Sequence, residues 1–205
     1  MSYRTEQEAF WAGGFGNEYI GRNNDTEIVA ANLALFARIL QATQSIASVI
    51  EFGSNIGLNL QAIRHLLPKA NLAAIELNTQ AVAALQKQPN VSVFHQSILD
   101  FEPEISRDFV FIKGVLIHIN PNELATVYEK LYRSSNRYIC IVEYYSPTPV
   151  ELDYRGHNGK LFKRDFAGEM LDAYSNLKLL DYGFVYHRDT HFEQDDLNWF
   201  LMEKR

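Results

Sequence analysis

Three acids and a few glycines sit where apolar segments end. The stretch "VIEFGSNIGLNL", Val49–Leu60, runs a buried segment into Glu51 and then sets Gly53 and Gly57 in the turn before a helical pattern. Such a turn lets a ligand approach the backbone, because glycine takes positive φ and carries no side chain. Glu76 closes the next apolar segment, near the roughly 20-residue interval at which an acid reaches ribose hydroxyls. A carboxylate there is a two-oxygen acceptor for a diol. Pyrophosphate binding prefers G-x-G-x-x-G, whereas this chain reads E-x-G-x-x-x-G. The pattern therefore favours an adenosine-type ligand without phosphates over a dinucleotide.

Titratable groups recur farther along. Lys113 and Gly114 follow an apolar run, and His118 comes just after. A histidine at such an edge can take a proton near neutral pH. Glu143 and Tyr144 end another apolar run. The stretch "SPTPVELDYRGHNGKL" holds Tyr154, Arg155, His157 and Lys160, with Lys163 and Arg164 beyond it. In a chain of net charge −6 this concentration of donors suits a carboxylate or phosphate, or else is a solvated face. No histidine–carboxylate pair has metal-ligand spacing on one helix, so no metal is expected.

The elements that must position these groups alternate. "ASVIEF", "NLAAIEL", "VSVFHQ", "DFVFIKGVL" and "RYICIVEYY" read as buried strands. "LNLQAIRHLL", "TQAVAALQKQ" and "PNELATVYEKLYRSS" read as helices, the last opened by Pro121. "KRDFAGEMLDAY" is helical, and "LKLLDYGFVYHRD" with "LNWFLMEKR" makes a closing hairpin around "THFEQDD". This order predicts an α/β fold, a mostly parallel sheet with an antiparallel C-terminal hairpin. Between the fifth strand and the last helix the pattern lapses, and a long functional loop is expected there. At the front, residues 5–24 are aromatic and glycine-rich and should fold over something. Asp25 or Thr26 caps a helix with Ile28, Val29, Leu33, Phe36, Ile39 and Leu40 as its apolar positions.

The chain has 205 residues, 47% of them apolar and 21% charged, as in a globular protein. No basic stripe supports binding to bulk nucleic acid. No run reaches the length of a membrane span, and the N-terminus lacks a signal-peptide core, so a cytoplasmic protein is expected. The one cysteine, Cys140, lies in an apolar run and reads as a buried thiol.

Taken together, "EFGSNIG", "IELN", "QSILDF" and "GVLIHINPNEL" resemble the motif series of class I S-adenosylmethionine-dependent methyltransferases. The family's first motif has a third glycine where this chain has Asn55. The resemblance implies a Rossmann-like seven-stranded sheet and S-adenosyl-L-methionine as cofactor, with S-adenosyl-L-homocysteine as product. It implies Glu51, Gly53, Ser54, Asn55 and Gly57 around the methionine and ribose, and Glu76 and Leu77 on the ribose. Ser97 and Ile98 fall at the adenine position, and Lys113, Gly114 and Val115 near the methyl. Trp11, Tyr19 and Arg22 belong to an N-terminal helical lid, Arg22 facing the cofactor's carboxylate.

A closer resemblance spans nearly the whole chain. "FWAGGFGNEYIGRN" and "EYYSPTPVELDYRGHNGKLFKRDFAGEML" are similar to methyltransferases associated with pseudaminic acid biosynthesis. It implies one methyltransferase domain over 1–205, with a lid and helix in 1–44 and a substrate loop in 145–163. The acceptor would be a small molecule, a sugar-derived acid or nucleotide sugar, methylated on O or N. His118, His157 and Glu143 are the candidate catalytic groups. Tyr144, Tyr154, Arg155, Lys160 and Arg164 are the candidate acceptor ligands. Two other readings stay open: a nicotinamide-dependent Rossmann oxidoreductase, and a non-catalytic S-adenosylmethionine-binding protein.

Overall fold

The computed structural model describes residues 3–22 and 26–205. Its centre is a seven-stranded sheet in the order β3-β2-β1-β4-β5-β9-β8. The strands are β1 (Ser48–Phe52), β2 (Asn71–Glu76), β3 (Val91–His95), β4 (Arg107–Lys113), β5 (Ser135–Glu143), β8 (Leu177–Val185) and β9 (Leu197–Lys204). β1 to β5 run parallel, and β9 is antiparallel to both β5 and β8. The order reverses beside β1, so the carboxyl ends of β1 and β4 flank a crevice, the usual ligand position in open α/β sheets.

Side-chain alternation divides the core. Ile50, Phe52, Ile75, Val110, Ile112 and Ile139 face α6 (Leu124–Ser134) and α7 (Phe166–Ala173). Val49, Phe109, Phe111, Cys140, Val142 and Trp199 face α3 (Thr26–Leu40) and α4 (Leu58–Leu66). Burial of each large side chain contributes about 1.5–3 kcal/mol, and a cavity left by Leu60→Ala would cost about 2–5 kcal/mol. Cys140 is a fully buried free thiol whose pKa burial pushes upward. Glu51 shares the face of Val49. It therefore points into the α3–α4 layer, which an acid tolerates only with a partner.

Three expectations shift. α3 turns Ala31, Asn32, Leu35, Phe36 and Ile39 inward, and leaves Ile28, Val29, Leu33 and Leu40 half-buried. Its apolar residues ring the helix, so spacing alone did not select the face. Of its suggested caps, Asp25 lies outside the described residues and Thr26 is the first helical residue. Pro121 opens a 3-10 turn, Pro121–Glu123, capped by the Asn120 side chain, before α6 begins. The long loop is an antiparallel hairpin of β6 (Val150–Tyr154) and β7 (His157–Lys163), separate from the main sheet.

The aromatic N-terminal segment forms α1 (Glu6–Ala12) and α2 (Gly14–Arg22). Thr5 and Glu8 close a capping box at the start of α1. α5 (Thr79–Leu85) is capped by Asn78, whose side-chain amide also donates to the Trp11 carbonyl at 3.1 Å and to Asn17 Oδ1 at 2.9 Å. One residue thus fixes a core helix and the N-terminal helices together.

Candidate functional site

A cavity of about 790 Å³ opens at the carboxyl edge, lined by the turns after β1, β2, β3 and β4, by α1 to α3, and by the β8–β9 connection. That volume suits a nucleoside-sized ligand with a small partner. Gly53 takes φ +75°, and a Cβ there would lie 2.7 Å from Val115 Cγ2. Asn55 also takes positive φ, 47°. Its amide donates to Glu76 Oε2 at 2.7 Å, and the Asn78 amide donates to Oε1 at 2.8 Å. Glu76 is thereby aimed by two backbone donors at the end of β2, and burial raises its pKa. Ser54 and Leu77 line the same wall.

Gly57 stands differently. Its φ is +82°, and a Cβ would meet Gln88 Nε2 at 2.5 Å and Leu85 Cδ2 at 2.6 Å. It packs against α5 at the N-cap of α4, so its glycine requirement comes from the fold.

Glu51 is fully buried. Its Oε1 accepts from Asn59 Nδ2 at 2.6 Å, while Oε2 has no hydrogen-bond partner, nor has Asn59 Oδ1. Burial pushes the Glu51 carboxyl up to about 8, against the opposing pull of Asn59 and Lys113. Lys113 lines the cavity, and burial lowers its pKa against the attraction of Glu51, Asp195 and Glu143. Among the described residues, ionised Glu51 leaves two buried acceptor oxygens without donors beside the cavity, a place for a cation or a cluster of N–H groups.

Past β3, Ser97 and Ile98 line the opposite end. Ser97 Oγ bonds the Glu8 carboxylate, and the Leu99 amide donates to Ser97 Oγ at 3.0 Å. Gly114 and Val115 complete the wall after β4.

His118 lies in the 3-10 turn Leu116–His118, nearly buried, and lines the cavity. Its Nδ1 is 2.6 Å from the Lys160 carbonyl, which can only accept. Nδ1 therefore carries the proton, and Nε2 keeps the lone pair. Burial lowers its pKa to about 4, so the ring is neutral above roughly pH 5. Trp11 and Tyr154 rings pack on it at 4.6 and 4.8 Å between centroids. Glu143 does something else. Its Oε1 accepts from the Val115 and Leu116 amides, both at 2.8 Å, and burial pushes its carboxyl up to about 7. It braces the turn that carries His118.

The remaining candidates divide. Trp11, Tyr19 and Arg22 line the cavity, Arg22 also lying over the Phe15 ring at 5.4 Å. Burial raises the Tyr154 pKa against the pull of the adjacent Arg155, which is exposed in the β6–β7 turn at φ 54°. Burial and the nearby Asp195 raise the Tyr144 pKa, and Lys163 Nζ lies over the Tyr144 ring at 4.6 Å. His157 is exposed and packs on Phe10 and Phe15, 5.0 and 5.7 Å away. Lys160 Nζ pairs with Glu6 at 2.8 Å. Arg164 pairs with Glu169 at 2.6 Å, and Glu169 also accepts from Tyr128. His157 and Lys160 thus join the hairpin to α1 and α2, and Arg164 joins it to α7.

Sequence reading missed Glu8, Asn32, Asn59, Gln194 and Asp195, all of which line the cavity. Asn59 lies in the first turn of α4, just past the Gly53–Gly57 turn, and an amide at the start of that helix was its available signal. The others come from distant segments. Among the described residues no group of histidine, cysteine and acids could hold a metal ion.

No family model and no curated protein matches the sequence. Solved structures do. Burkholderia thailandensis 1,6-didemethyltoxoflavin-N1-methyltransferase, with bound 1,6-didemethyltoxoflavin and S-adenosylhomocysteine, aligns with TM-score 0.72 at 15% identity over 100% of this chain and 91% of that one. Magnesium protoporphyrin IX methyltransferase from Synechocystis, with bound S-adenosylmethionine, gives TM-score 0.67 at 11% identity over 100% of both chains. An N-methyltransferase from Bradyrhizobium japonicum gives 0.64 at 13%, over 88% of this chain and 98% of that one. The shared architecture is the class I methyltransferase fold, with the mostly parallel sheet and terminal antiparallel hairpin that the sequence predicted.

Proposed function

We propose that the chain is an S-adenosylmethionine-dependent methyltransferase for a small polar acceptor. The observation that carries this reading is the unpartnered pair of acceptors, Glu51 Oε2 and Asn59 Oδ1, buried beside the open Gly53 turn. They match the ammonium of the cofactor's methionine part, with Glu76 placed for the ribose hydroxyls and Ile98 for a ring face. Bound there, S-adenosylmethionine would supply an activated methyl group on its sulfur and would be left as S-adenosylhomocysteine.

The chain's own work is positioning and proton handling. Gly53 and Gly114 keep the backbone low under the ligand. α1 and α2 cover the cavity with Trp11 and exclude water. His118 Nε2 takes the acceptor's proton, and Glu143 holds the turn that aims His118. A nicotinamide ligand would use Glu76 equally well, but the chain reads E-x-G-x-x-x-G where a pyrophosphate turn prefers G-x-G-x-x-G.

For the acceptor we favour a sugar-derived acid or nucleotide sugar. Arg22 and Arg155 support an anionic end, whereas Lys160 and Arg164 already have carboxylate partners. A cytoplasmic site of action goes with this reading, and among the described residues no helix is long and apolar enough to cross a membrane. The test is incubation of the protein with methyl-deuterated S-adenosylmethionine and a small-molecule extract, read by mass spectrometry. A new deuterated-methyl product that depends on the protein is expected. Absence of any labelled product, in a protein that binds the cofactor, leaves the non-catalytic reading.

A further inference from the structure

The β8–β9 connection read in the sequence as a plain hairpin loop. It enters the cavity instead, bringing His187, His191, Gln194 and Asp195 to the wall. Gln194 Nε2 donates to the Ala31 carbonyl at 3.0 Å, which ties the loop to α3. Among the described residues nothing donates to the buried Gln194 Oε1, nor to Asn32 Oδ1 on the next residue of α3. Asn32 is 1% exposed. A buried amide oxygen without a donor costs about 1–3 kcal/mol, so two of them beside one opening require an explanation.

Asp195 is next to Gln194 and lies among acceptor-side groups. Its charge is felt at Tyr144, Tyr19, Tyr154 and Lys113. Lys113 is the cation facing it, and Glu51 and Glu143 act on the same lysine. The loop thus brings oxygen acceptors to the cavity wall, and Arg22 and Arg155 act on the same Tyr19 and Tyr154 as Asp195.

We propose that Asn32, Gln194 and Asp195 form an acceptor subsite that reads hydroxyl or amino groups by accepting their hydrogens. This rests on the methyltransferase reading and adds the polarity of the acceptor. The molecule presents hydrogen-bond donors to the β8–β9 loop and an anionic group to Arg22 and Arg155, which stand around the same two tyrosines as Asp195. A polyhydroxylated or amino-bearing acid has that pattern. A flat apolar heterocycle does not.

The test uses the full chain, methyl-deuterated S-adenosylmethionine and a dilution series of the extract, comparing wild type with Asp195→Asn and Gln194→Met. Each variant should need about tenfold more concentrated extract for half-maximal labelling, the loss of one hydrogen bond to a charged or buried acceptor. Affinity for S-adenosylhomocysteine, measured by calorimetry, should stay within about twofold, and Asp195→Glu should recover part of the loss. Variants that bind S-adenosylhomocysteine and half-saturate at the wild-type dilution overturn the subsite alone. A wild type that binds the cofactor and labels nothing overturns the transfer reading beneath it.

Discussion

The two ends of the cavity are built by opposite means. The end at β1 and β2 comes from short, contiguous stretches: a strand, a turn with positive φ at Gly53 and Asn55, and an acid two residues before Asn78. The other end gathers α1, α2, the β6–β7 hairpin and the β8–β9 loop. They are joined by contacts such as Lys160–Glu6, Gln7 to the Gly159 carbonyl at 2.9 Å, and His118 to Lys160. A ligand common to many enzymes can be held by local backbone geometry, because its shape does not change. An acceptor that differs between enzymes is met by segments that vary without disturbing the sheet.

The largest effects should fall on the local end. Gly53→Val places a branched side chain against Val115 at a φ that L residues resist. Calorimetry should detect no S-adenosylmethionine binding, while circular dichroism keeps the α/β signature. Normal affinity would mean that the turn serves the fold alone, as Gly57 does. Glu76→Ala comes next. Loss of the charged acceptor should weaken cofactor binding by about 1–3 kcal/mol, and a folded variant of unchanged affinity would remove Glu76 from the site.

At the assembled end, effects should be smaller and should separate. Arg155→Ala should raise acceptor KM about tenfold with cofactor affinity unchanged, as one charge-assisted bond is lost. Arg164→Ala should instead lower stability in urea by about 1–2 kcal/mol and leave KM alone, since its partner is Glu169. If the two exchange behaviours, the hairpin is misassigned. The smallest signal is a proton. Glu51, with its pKa near 8, holds its proton at pH 7, and a bound cation favours the carboxylate. Cofactor binding at pH 7 should therefore release close to one proton, fading as pH rises through 8 to 9. Titrations in phosphate and Tris report it through their heats, and Glu51→Gln should abolish it. The same shift makes Glu51 stabilise the free protein most below its ordinary pKa, with that contribution lost as pH rises toward 8.

This division also explains what the sequence disclosed. The order of the main strands and helices followed from apolar runs, and Glu51, Gly53 and Glu76 were marked by their places at strand ends. The β6–β7 hairpin was read as loop because Gly156, Gly159 and two prolines mask an alternation that Val150, Leu152 and Tyr154 do carry. β6 is largely exposed and β7 buries only Lys160 and Leu161, so no apolar run announces them. Glu8 pairs with Ser97, and Asp195 lies near Tyr144, groups far off in the chain, and no local pattern encodes such a meeting. His157 and Lys160 had the right chemistry in the right segment. Only the docking of α1 and α2 reveals that they hold the cover in place.

The central claim, that the cavity at the carboxyl edge takes S-adenosylmethionine, is tested most directly by calorimetric titration of the wild-type chain with S-adenosylmethionine, S-adenosylhomocysteine and a nicotinamide dinucleotide. The account predicts saturable one-to-one binding of the first two and no heat with the third. Binding of the dinucleotide, or of none of the three, would contradict it.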